Sequence, residues 1–266
     1  MTDTLAFINE RNIGEFINNT DNDGAMKWLD NTRFSMGDIT FSIDVTPGSQ
    51  RRLSTDKNFT LVKNKSYIKN YEELGKEFSH ILELGLFQGG SLVFLDRLLK
   101  PKKMVGLDIM KNKIQALENY IQADAGHIKT YYGASQGDSV LLESIVKDDL
   151  DGELDLVVDD ASHSYELTKK SFIVLFPLMK AGGTYLIEDW AWSHGPQAQS
   201  GGHPWEKNPA MTNLIYEIIA ELGGGNDIED IYINRNLLKI RKKKTANPQG
   251  DVLVKDYIRG RKRVLI

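Results

Sequence analysis

ILELGLFQGGSLVFL, residues 81–95, joins a short apolar run to a longer one through three closely spaced glycines. The first run has the length of a buried parallel strand, and the second has the length and apolar content of a packed helix. Glycines between the two runs allow the backbone to turn sharply and to pass close to a neighbouring group. The stretch therefore predicts a strand, a tight turn and a helix, which is the repeating unit of a parallel α/β sheet.

The same alternation continues toward the C-terminus. Apolar runs suited to buried parallel strands occur at His80–Leu84, Met104–Leu107, Lys129–Tyr132, Leu154–Val158 and Gly183–Ile187. Helical patterns occur at Ser91–Leu99, Lys113–Ala123, Ser139–Val146, Tyr165–Leu178 and Pro209–Leu222. Two short strand-like pieces, IYIN and LLKIRK, then follow at tight spacing. We expect an α/β, Rossmann-like sheet of five parallel strands that ends in a C-terminal antiparallel hairpin.

The N-terminal part of the chain has a different pattern. Residues 1–30 have helical apolar spacing, whereas residues 34–64 include FSMGDITFSIDV, which alternates like a strand. We interpret residues 1–66 as a small accessory segment and residues 67–244 as the main domain. Residues 245–266 form a basic tail, for which a solvated surface is a better interpretation than an anionic partner.

The composition excludes several classes of protein. Because the chain has no cysteine, it has no disulfide, no thiolate catalysis and no cysteine zinc site. A net charge of -4 gives no electrostatic reason to expect nucleic acid as a partner. The N-terminus lacks the pattern of a signal peptide, and no apolar run approaches the roughly 20 residues that span a bilayer. We expect a cytoplasmic protein with no membrane partner.

Three predicted strand ends carry residues suited to a nucleoside. Glu83, Gly85 and Gly89 form an acidic-x-Gly-x-x-x-Gly turn, which differs from the GxGxxG of dinucleotide-binding dehydrogenases and is as consistent with a structural turn. Asp108 follows the second strand, where it suits the hydroxyls of a ribose or a helix cap. Gln136 follows the third strand and suits an adenine or a cap. The candidate cofactor-binding residues are Glu83, Gly85, Gly89, Ser91, Asp108, Gln136 and Asp159.

The fourth and fifth strands both end in paired acids, Asp159–Asp160 and Glu188–Asp189. Neighbouring strand ends of a parallel sheet meet in one crevice, where these carboxylates repel one another unless a cation or a proton compensates. Oxygen donors favour a hard cation such as magnesium, manganese or calcium. We predict Asp160, Glu188 and Asp189 as metal ligands, with Asp159 facing the cofactor. Capping of the following helices is the alternative.

His163 lies three residues after Asp160, which places an imidazole near the predicted metal. Its candidate roles are metal ligand, helix cap, exposed surface residue and general base. We favour the base, because a hydroxyl bound to a cation becomes more acidic and an imidazole can take its proton. Residues 190–209, WAWSHGPQAQSGGHPWEKNP, predict a loop over the site. Its tryptophans suit stacking on a substrate ring or packing against the accessory segment.

In their order along the chain, ELGLFQGG, GLDI, GASQGD, VVDDASH and LIEDW resemble motifs of the metal-dependent O-methyltransferases that act on natural-product sugars. This group is linked to the rhamnosyl O-methyltransferase and cephalosporin hydroxylase-like family, and the resemblance covers about residues 78–242. It implies a class I methyltransferase fold, S-adenosylmethionine in the Gly85–Gly89 pocket with Asp108 on its ribose, Mg²⁺ (or Mn²⁺) at the acids, and His163 as the base. Ser135 departs from the pattern, because relatives tend to carry an acid there.

The resemblance also implies a small-molecule acceptor, a sugar or glycoside, and a homo-oligomer. Two alternatives stay open. Catechol-type enzymes use a similar metal arrangement, so the acceptor could be a phenol or another small molecule. A catalytically silent nucleotide-binding subunit is the other alternative, although the His and the three acids disfavour it. The glycine spacing makes a dehydrogenase the weakest interpretation.

Overall fold

The computed structural model describes residues 25–46, 50–75, 78–199, 206–224, 227–244, 257–258 and 261–262. Most of the predicted N-terminal helical region, residues 1–24, lies outside the described residues, and residues 26–28 of that region form a strand instead of a helix. Most of the basic tail also lies outside them. Among the described residues, no helix is both long enough and apolar enough to cross a membrane.

A seven-stranded sheet forms the centre of the molecule. Its strands in chain order are β5 (His80–Leu84), β6 (Lys103–Asp108), β7 (Ile128–Tyr132), β8 (Leu154–Asp159), β9 (Met179–Glu188), β10 (Ile228–Ile233) and β11 (Leu237–Lys242). Their spatial order is β10-β11-β9-β8-β5-β6-β7. The five strands β5 to β9 pair in parallel, whereas β11 is antiparallel to both β9 and β10. The predicted α/β sheet with a C-terminal antiparallel hairpin is confirmed.

Helices cover this sheet. They are α2 (Gly90–Leu99), α3 (Gln115–Asp124), α4 (Ser139–Ser144), α5 (Tyr165–Leu178), α6 (Pro196–Gln199) and α7 (Thr212–Gly224). The helix predicted to reach Val146 ends instead at Ser144 and continues as a π-helical turn, Ile145–Asp149. The fifth parallel strand begins at Met179, four residues before its predicted start, directly after α5 ends.

A second, four-stranded sheet precedes the central one. Its strands are β1 (Met26–Trp28), β2 (Arg33–Met36), β3 (Ile39–Ile43) and β4 (Asn58–Leu61), in the order β1-β2-β3-β4. The stretch FSMGDITFSIDV, predicted as one strand, forms two antiparallel strands, β2 and β3. The reason is Gly37, whose φ of 58° lies in the left-handed region that glycine adopts without strain.

This accessory sheet shares its hydrophobic core with one face of the central sheet. Phe34 and Phe41 pack edge-on against Phe94 of α2, and Phe59 packs edge-on against Tyr120 of α3. Helix α1 (Lys65–Glu72), which the sequence pattern did not predict, follows β4 and spans the predicted domain boundary at residue 66. The division of the chain at that residue stays a prediction, and the two parts share both a helix and a core.

Candidate functional site

A cavity of about 330 Å³ opens at the carboxyl ends of β5, β6, β7 and β8. Four of the predicted cofactor-binding residues line it: Gly85, Ser91, Asp108 and Gln136. Asp160 lines it as well, and so does the accessory stretch 60–63. Glu83, Gly89 and Asp159 do not line the cavity. The cavity therefore lies where the sequence predicts the cofactor, but the accessory segment forms part of its wall.

The glycine turn after β5 is shaped by close backbone neighbours. Gly85 has a φ of 96°, and a Cβ at this position would lie 2.2 Å from the carbonyl oxygen of Asp160. At Gly90 a Cβ would lie 2.0 Å from the carbonyl oxygen of Thr60. Both distances are sterically forbidden, so only glycine fits. These glycines bring the turn against the acid-bearing strand end on one side and the accessory segment on the other.

Asp108 holds this turn in place from the end of β6. Its Oδ2 accepts hydrogen bonds from the backbone N–H groups of Leu86 (2.8 Å) and Phe87 (3.0 Å), and its Oδ1 accepts one from Met110 (2.7 Å). A carboxylate has about four acceptor positions, so one remains for a further donor. The side chain lines the cavity, and its predicted contact with a ribose remains compatible with this arrangement.

Gln136 and Asp159 belong to a buried polar network. The Gln136 Nε2 donates to Asp159 (3.0 Å), while its Oε1 accepts from the Ser162 backbone N–H (2.9 Å). The hydroxyls of Ser171 and Tyr185 donate to Asp159 Oδ2 as well. Burial raises the pKa of Asp159 to about 6, and the two hydroxyl donors oppose this rise. The network connects the ends of β7 and β8. Gln136 and Asp159 therefore have a structural role, and their predicted role in cofactor binding stays a prediction.

Glu83 is fully buried, and neither of its carboxylate oxygens accepts a hydrogen bond from a described residue. Burial raises its pKa to about 8, although Ser91 and Lys63 nearby act in the opposite direction. Leaving a buried acceptor without a donor is costly, so the arrangement fits a ligand that supplies a cation or a donor. The α-ammonium group of S-adenosylmethionine is such a ligand group. Glu83 does not line the cavity surface, so its contact with the cofactor stays a prediction.

Asp160, His163 and Asp189 form a group suited to a metal ion. Each offers one donor atom, and these atoms all lie within 4.8 Å of one another. The Nε2 of His163 lies 3.8 Å from Oδ1 of Asp160. The carboxylate oxygens fit a hard divalent cation such as Mg²⁺ or Mn²⁺, and the imidazole nitrogen beside them can act either as a further ligand or as a proton acceptor. Two of the three predicted ligands and the predicted base are therefore brought together.

Glu188, the third predicted ligand, has other partners. Its Oε1 accepts a hydrogen bond from the Tyr71 hydroxyl and its Oε2 accepts one from the Lys63 ammonium. Lys63 also donates to Oδ2 of Asp160 at 2.7 Å. On the same side of the site, the Tyr67 hydroxyl donates to Oδ1 of Asp189. Every acid of the cluster thus contacts a residue from 63–71.

The charged residues of this cluster shift one another's pKa values. Burial by itself would lower the pKa of Lys63, but the charges of Asp160 and Glu188 hold it above its usual value. Burial acts to raise the pKa of Asp160, but Lys63 and His163 lower it overall. For Glu188, burial and the charge of Asp160 raise the pKa while Lys63 opposes the rise. Both oxygens of Glu188 accept hydrogen bonds, so the geometry favours an ionised Glu188 paired with a charged Lys63.

The sequence interpretation missed Lys63, Tyr67 and Tyr71, which contact the three acids. Their spacing of four residues is a usable signal, because it aligns side chains on one face of α1 and the turn before it. Nothing in that spacing shows which acids these side chains contact. The contacts join residues 97 to 125 positions apart in sequence.

The backbone at the acids is also constrained. His163 and Asp189 have φ values of 50° and 51°, in the left-handed region that is costly for non-glycine residues. The indole N–H of Trp192 donates to the His163 carbonyl oxygen at 2.9 Å, and that of Trp190 donates to the carbonyl oxygen of Asn234 at 2.7 Å. Both hydrogen bonds therefore connect the start of the loop after β9 to other parts of the fold. Trp205 and His203, in the same predicted loop, lie outside the described residues.

Residues 82–190, which contain the cavity turn and all the acids, match the family model of a methyltransferase domain. This part of the chain is a methyltransferase domain. The model ends two residues after Glu188, so the domain includes the whole parallel sheet except the first residues of β5. The accessory sheet and helix α1, which supply Lys63, Tyr67 and Tyr71, lie outside the match.

Relatives of the methyltransferase domain include the mycinamicin VI 2''-O-methyltransferase of Micromonospora griseorubida, 27% identical over 65% of this chain and 43% of the relative. The demethylmacrocin O-methyltransferase of Streptomyces fradiae is 27% identical over 59% of this chain and 38% of the relative. The structure of the MycE methyltransferase from the mycinamycin biosynthetic pathway, in complex with Mg, SAH and mycinamycin VI, superposes with a TM-score of 0.52 at 25% identity. That match covers 68% of this chain and 50% of MycE.

This chain spans half or less of the length of these relatives. The resemblance to macrolide-sugar O-methyltransferases that the motifs predict is nevertheless confirmed by them.

Proposed function

We propose that this protein transfers a methyl group from S-adenosylmethionine to a hydroxyl of a sugar or glycoside, with a divalent cation at the acid cluster. The observation that carries the proposal is the group Asp160, His163 and Asp189 beside the cavity of a methyltransferase domain. It combines donors for a hard cation with a proton acceptor. Transfer to a hydroxyl oxygen requires both a bound acceptor and a place for its proton.

Several residues of the cavity suit the methyl donor. Glu83 offers a buried carboxylate without a partner to the α-ammonium group of the cofactor. Asp108 has one acceptor position left for a ribose hydroxyl, and Gly85 lets the turn lie directly against the backbone of Asp160. The hydrogen bond between Gln136 and Asp159 stabilises the wall of this pocket.

The acid cluster suits the acceptor. A divalent cation there would supply Lewis acidity, which makes a nearby hydroxyl more acidic. His163 then accepts the hydroxyl proton at its Nε2, the ring atom that faces Asp160. The acceptor oxygen forms its bond to the methyl carbon as the bond from that carbon to sulfur breaks. Trp192 keeps the backbone of His163 fixed in its left-handed conformation.

The sugar acceptor is proposed from the motif resemblance together with the relatives, whose names describe O-methylation of mycinamicin VI and demethylmacrocin. The MycE structures are complexes with Mg and SAH, which agrees with the donor set of this site. A homo-oligomer and a cytoplasmic location stay predictions from the sequence.

Transfer of a labelled methyl group from S-adenosylmethionine onto a panel of glycosides and catechols tests the proposal. We expect labelled glycosides, loss of transfer when a chelator is added, and recovery with Mg²⁺ or Mn²⁺. Transfer to catechols alone would assign the enzyme to phenolic acceptors. Donor binding without transfer to any acceptor, or transfer unaffected by the chelator, would contradict the proposed mechanism.

A further inference from the structure

Lys63 is a basic residue inside the acid cluster of the proposed metal site. It lies between β4 and α1, its side chain is only 4% exposed, and its ammonium group contacts Asp160 and Glu188. The methyltransferase domain itself does not supply it, because the family match begins at residue 82. An ammonium group between two carboxylates occupies a position that a cation bound by both of them would need.

We propose that Lys63 is a fixed cation of the site, which holds Glu188 as its counter-ion and leaves the divalent cation to Asp160 and Asp189, next to His163. This inference rests on the proposed function, because it assigns the parts of that same metal site. It makes Lys63 and Tyr71 positioning residues and removes Glu188 from the direct ligands.

The hydrogen bonds of Glu188 support this assignment. Tyr71 donates to one of its oxygens and Lys63 to the other, and the side chain is 1% exposed. A metal ion bound by Glu188 would have to share an oxygen with the Tyr71 hydroxyl or with the Lys63 ammonium, whose positive charge repels it. Removing one partner from a buried ion pair is strongly destabilising, because the remaining charge lacks compensation.

Asp160 and Asp189 differ from Glu188 in this respect. Lys63 contacts only Oδ2 of Asp160, and Oδ1 of the same carboxylate is the oxygen nearer His163. The Tyr67 hydroxyl contacts only Oδ1 of Asp189. Each of these carboxylates therefore has one oxygen fixed by the accessory segment and one oxygen without such a contact.

The charges agree with one bound divalent cation. Asp160, Glu188 and Asp189 contribute three negative charges, and Lys63 contributes one positive charge. The remaining charge of -2 is balanced by a single divalent cation. Without Lys63 the cluster would carry -3, and the buried Glu188 would be drawn toward the metal as an additional ligand.

Calorimetric titration with Mn²⁺ in the presence of SAH tests this assignment in four proteins: wild type, Lys63→Met, Glu188→Gln and the double variant. Lys63→Met should bind Mn²⁺ about tenfold more tightly, and Glu188→Gln about tenfold more weakly, because each changes the cluster by one charge. The double variant restores the -2 charge with both proposed ligands intact. Its affinity should return to within about threefold of wild type.

A double variant that binds Mn²⁺ as weakly as Glu188→Gln, or more weakly, would overturn the inference and make Glu188 a ligand. The double variant is also less prone to misfolding than the single variants, because removing both members of the buried pair leaves no uncompensated charge. Asp160→Asn serves as the reference for a lost ligand. If wild type does not bind Mn²⁺ at all, the proposed metal site fails and this assignment fails with it. If wild type binds Mn²⁺ but the double variant does not recover, only the assignment of Lys63 fails.

Discussion

The cofactor end of the site, Glu83, Gly85 and Asp108, and the acid end, Asp160, Glu188 and Asp189, lie on the same edge of one sheet but are assembled differently. At the cofactor end, Asp108 fixes the glycine turn through hydrogen bonds to backbone groups about 20 positions away. At the acid end, the carboxylates are held by side chains from residues 63–71, about 100 or more positions away. The side chains that hold the first end come from the methyltransferase domain, whereas those that hold the acids of the second end come from the accessory segment.

This difference separates two kinds of function. Binding of the methyl donor depends mainly on strand ends and turns of the domain, and accessory residues 60–63 add part of the cavity wall. The metal and the acceptor depend on a fit between two parts of the chain. We therefore expect changes at Tyr67 and Tyr71, which do not line the cavity, to affect metal binding while leaving donor binding nearly unchanged.

Asp160→Asn should produce the largest effect, because Asp160 is both a proposed ligand and the partner of Lys63. We expect kcat/KM for methyl transfer to fall by more than about 10³-fold, while the affinity for SAH changes little. Steady-state kinetics and calorimetry measure the two quantities. Asp230→Asn is the matched control, since Asp230 is exposed and pairs with Arg241 on the far hairpin. Activity close to wild type in Asp160→Asn would refute the assigned site.

Tyr67→Phe removes one hydroxyl from the accessory segment without changing its packing. Because this hydroxyl donates to Asp189, we expect Mn²⁺ affinity to weaken by about 10-fold to 100-fold, as is usual for groups that orient metal ligands. Tyr216→Phe, on the exposed surface of α7, should bind Mn²⁺ like wild type. Equal affinities in the two variants would show that the accessory segment does not orient the acids.

Glu83 gives the cofactor end a pH dependence. Its pKa of about 8 means that the free protein holds a proton there at neutral pH, and a bound ammonium group requires the ionised form. SAH affinity should therefore rise about tenfold per pH unit from pH 6 to about 8 and then level off. Calorimetry across this range measures it, and Glu83→Gln should show a flat profile. A flat profile in wild type would contradict the role of Glu83.

The same raised pKa affects stability with a definite sign. The folded protein binds the Glu83 proton more tightly than the unfolded chain, whose value is 4.5. The contribution of Glu83 to the free energy of unfolding therefore falls as pH rises from about 4.5 to about 8.

Trp192→Phe should have the smallest effect. It removes one hydrogen bond to the His163 carbonyl, which is worth about 0.5–1.5 kcal/mol, or roughly twofold to tenfold in kcat. Mn²⁺ affinity should change less than kcat, because no proposed ligand oxygen is touched. Trp28→Phe, in the accessory hairpin, is the control with the same side-chain change. An unchanged kcat would show that Trp192 does not position His163.

The order of the five parallel strands and the hairpin could be predicted because each strand and helix has its own local pattern. Gly85, Asp108 and Asp160 could be predicted because strand ends of a parallel sheet point to one crevice. Helix α1 was missed although its start carries a local signal, the N-cap Asn64, whose side chain accepts from the backbone N–H groups of Ser66 and Tyr67. The role of Lys63 was missed because only the folded chain brings it to Glu188. Gln136 and Asp159 show the same limit, because their network depends on Ser171 and Tyr185 from other elements.

Anomalous diffraction from crystals grown with SAH and Mn²⁺ tests the central claim most directly. The account predicts one Mn²⁺ peak between the carboxylates of Asp160 and Asp189, with His163 beside it and the Lys63–Glu188 contact intact. It also predicts SAH in the cavity next to Gly85. At saturating Mn²⁺, the absence of a peak at these acids, or SAH bound elsewhere, would contradict a metal-assisted methyl transfer at this site.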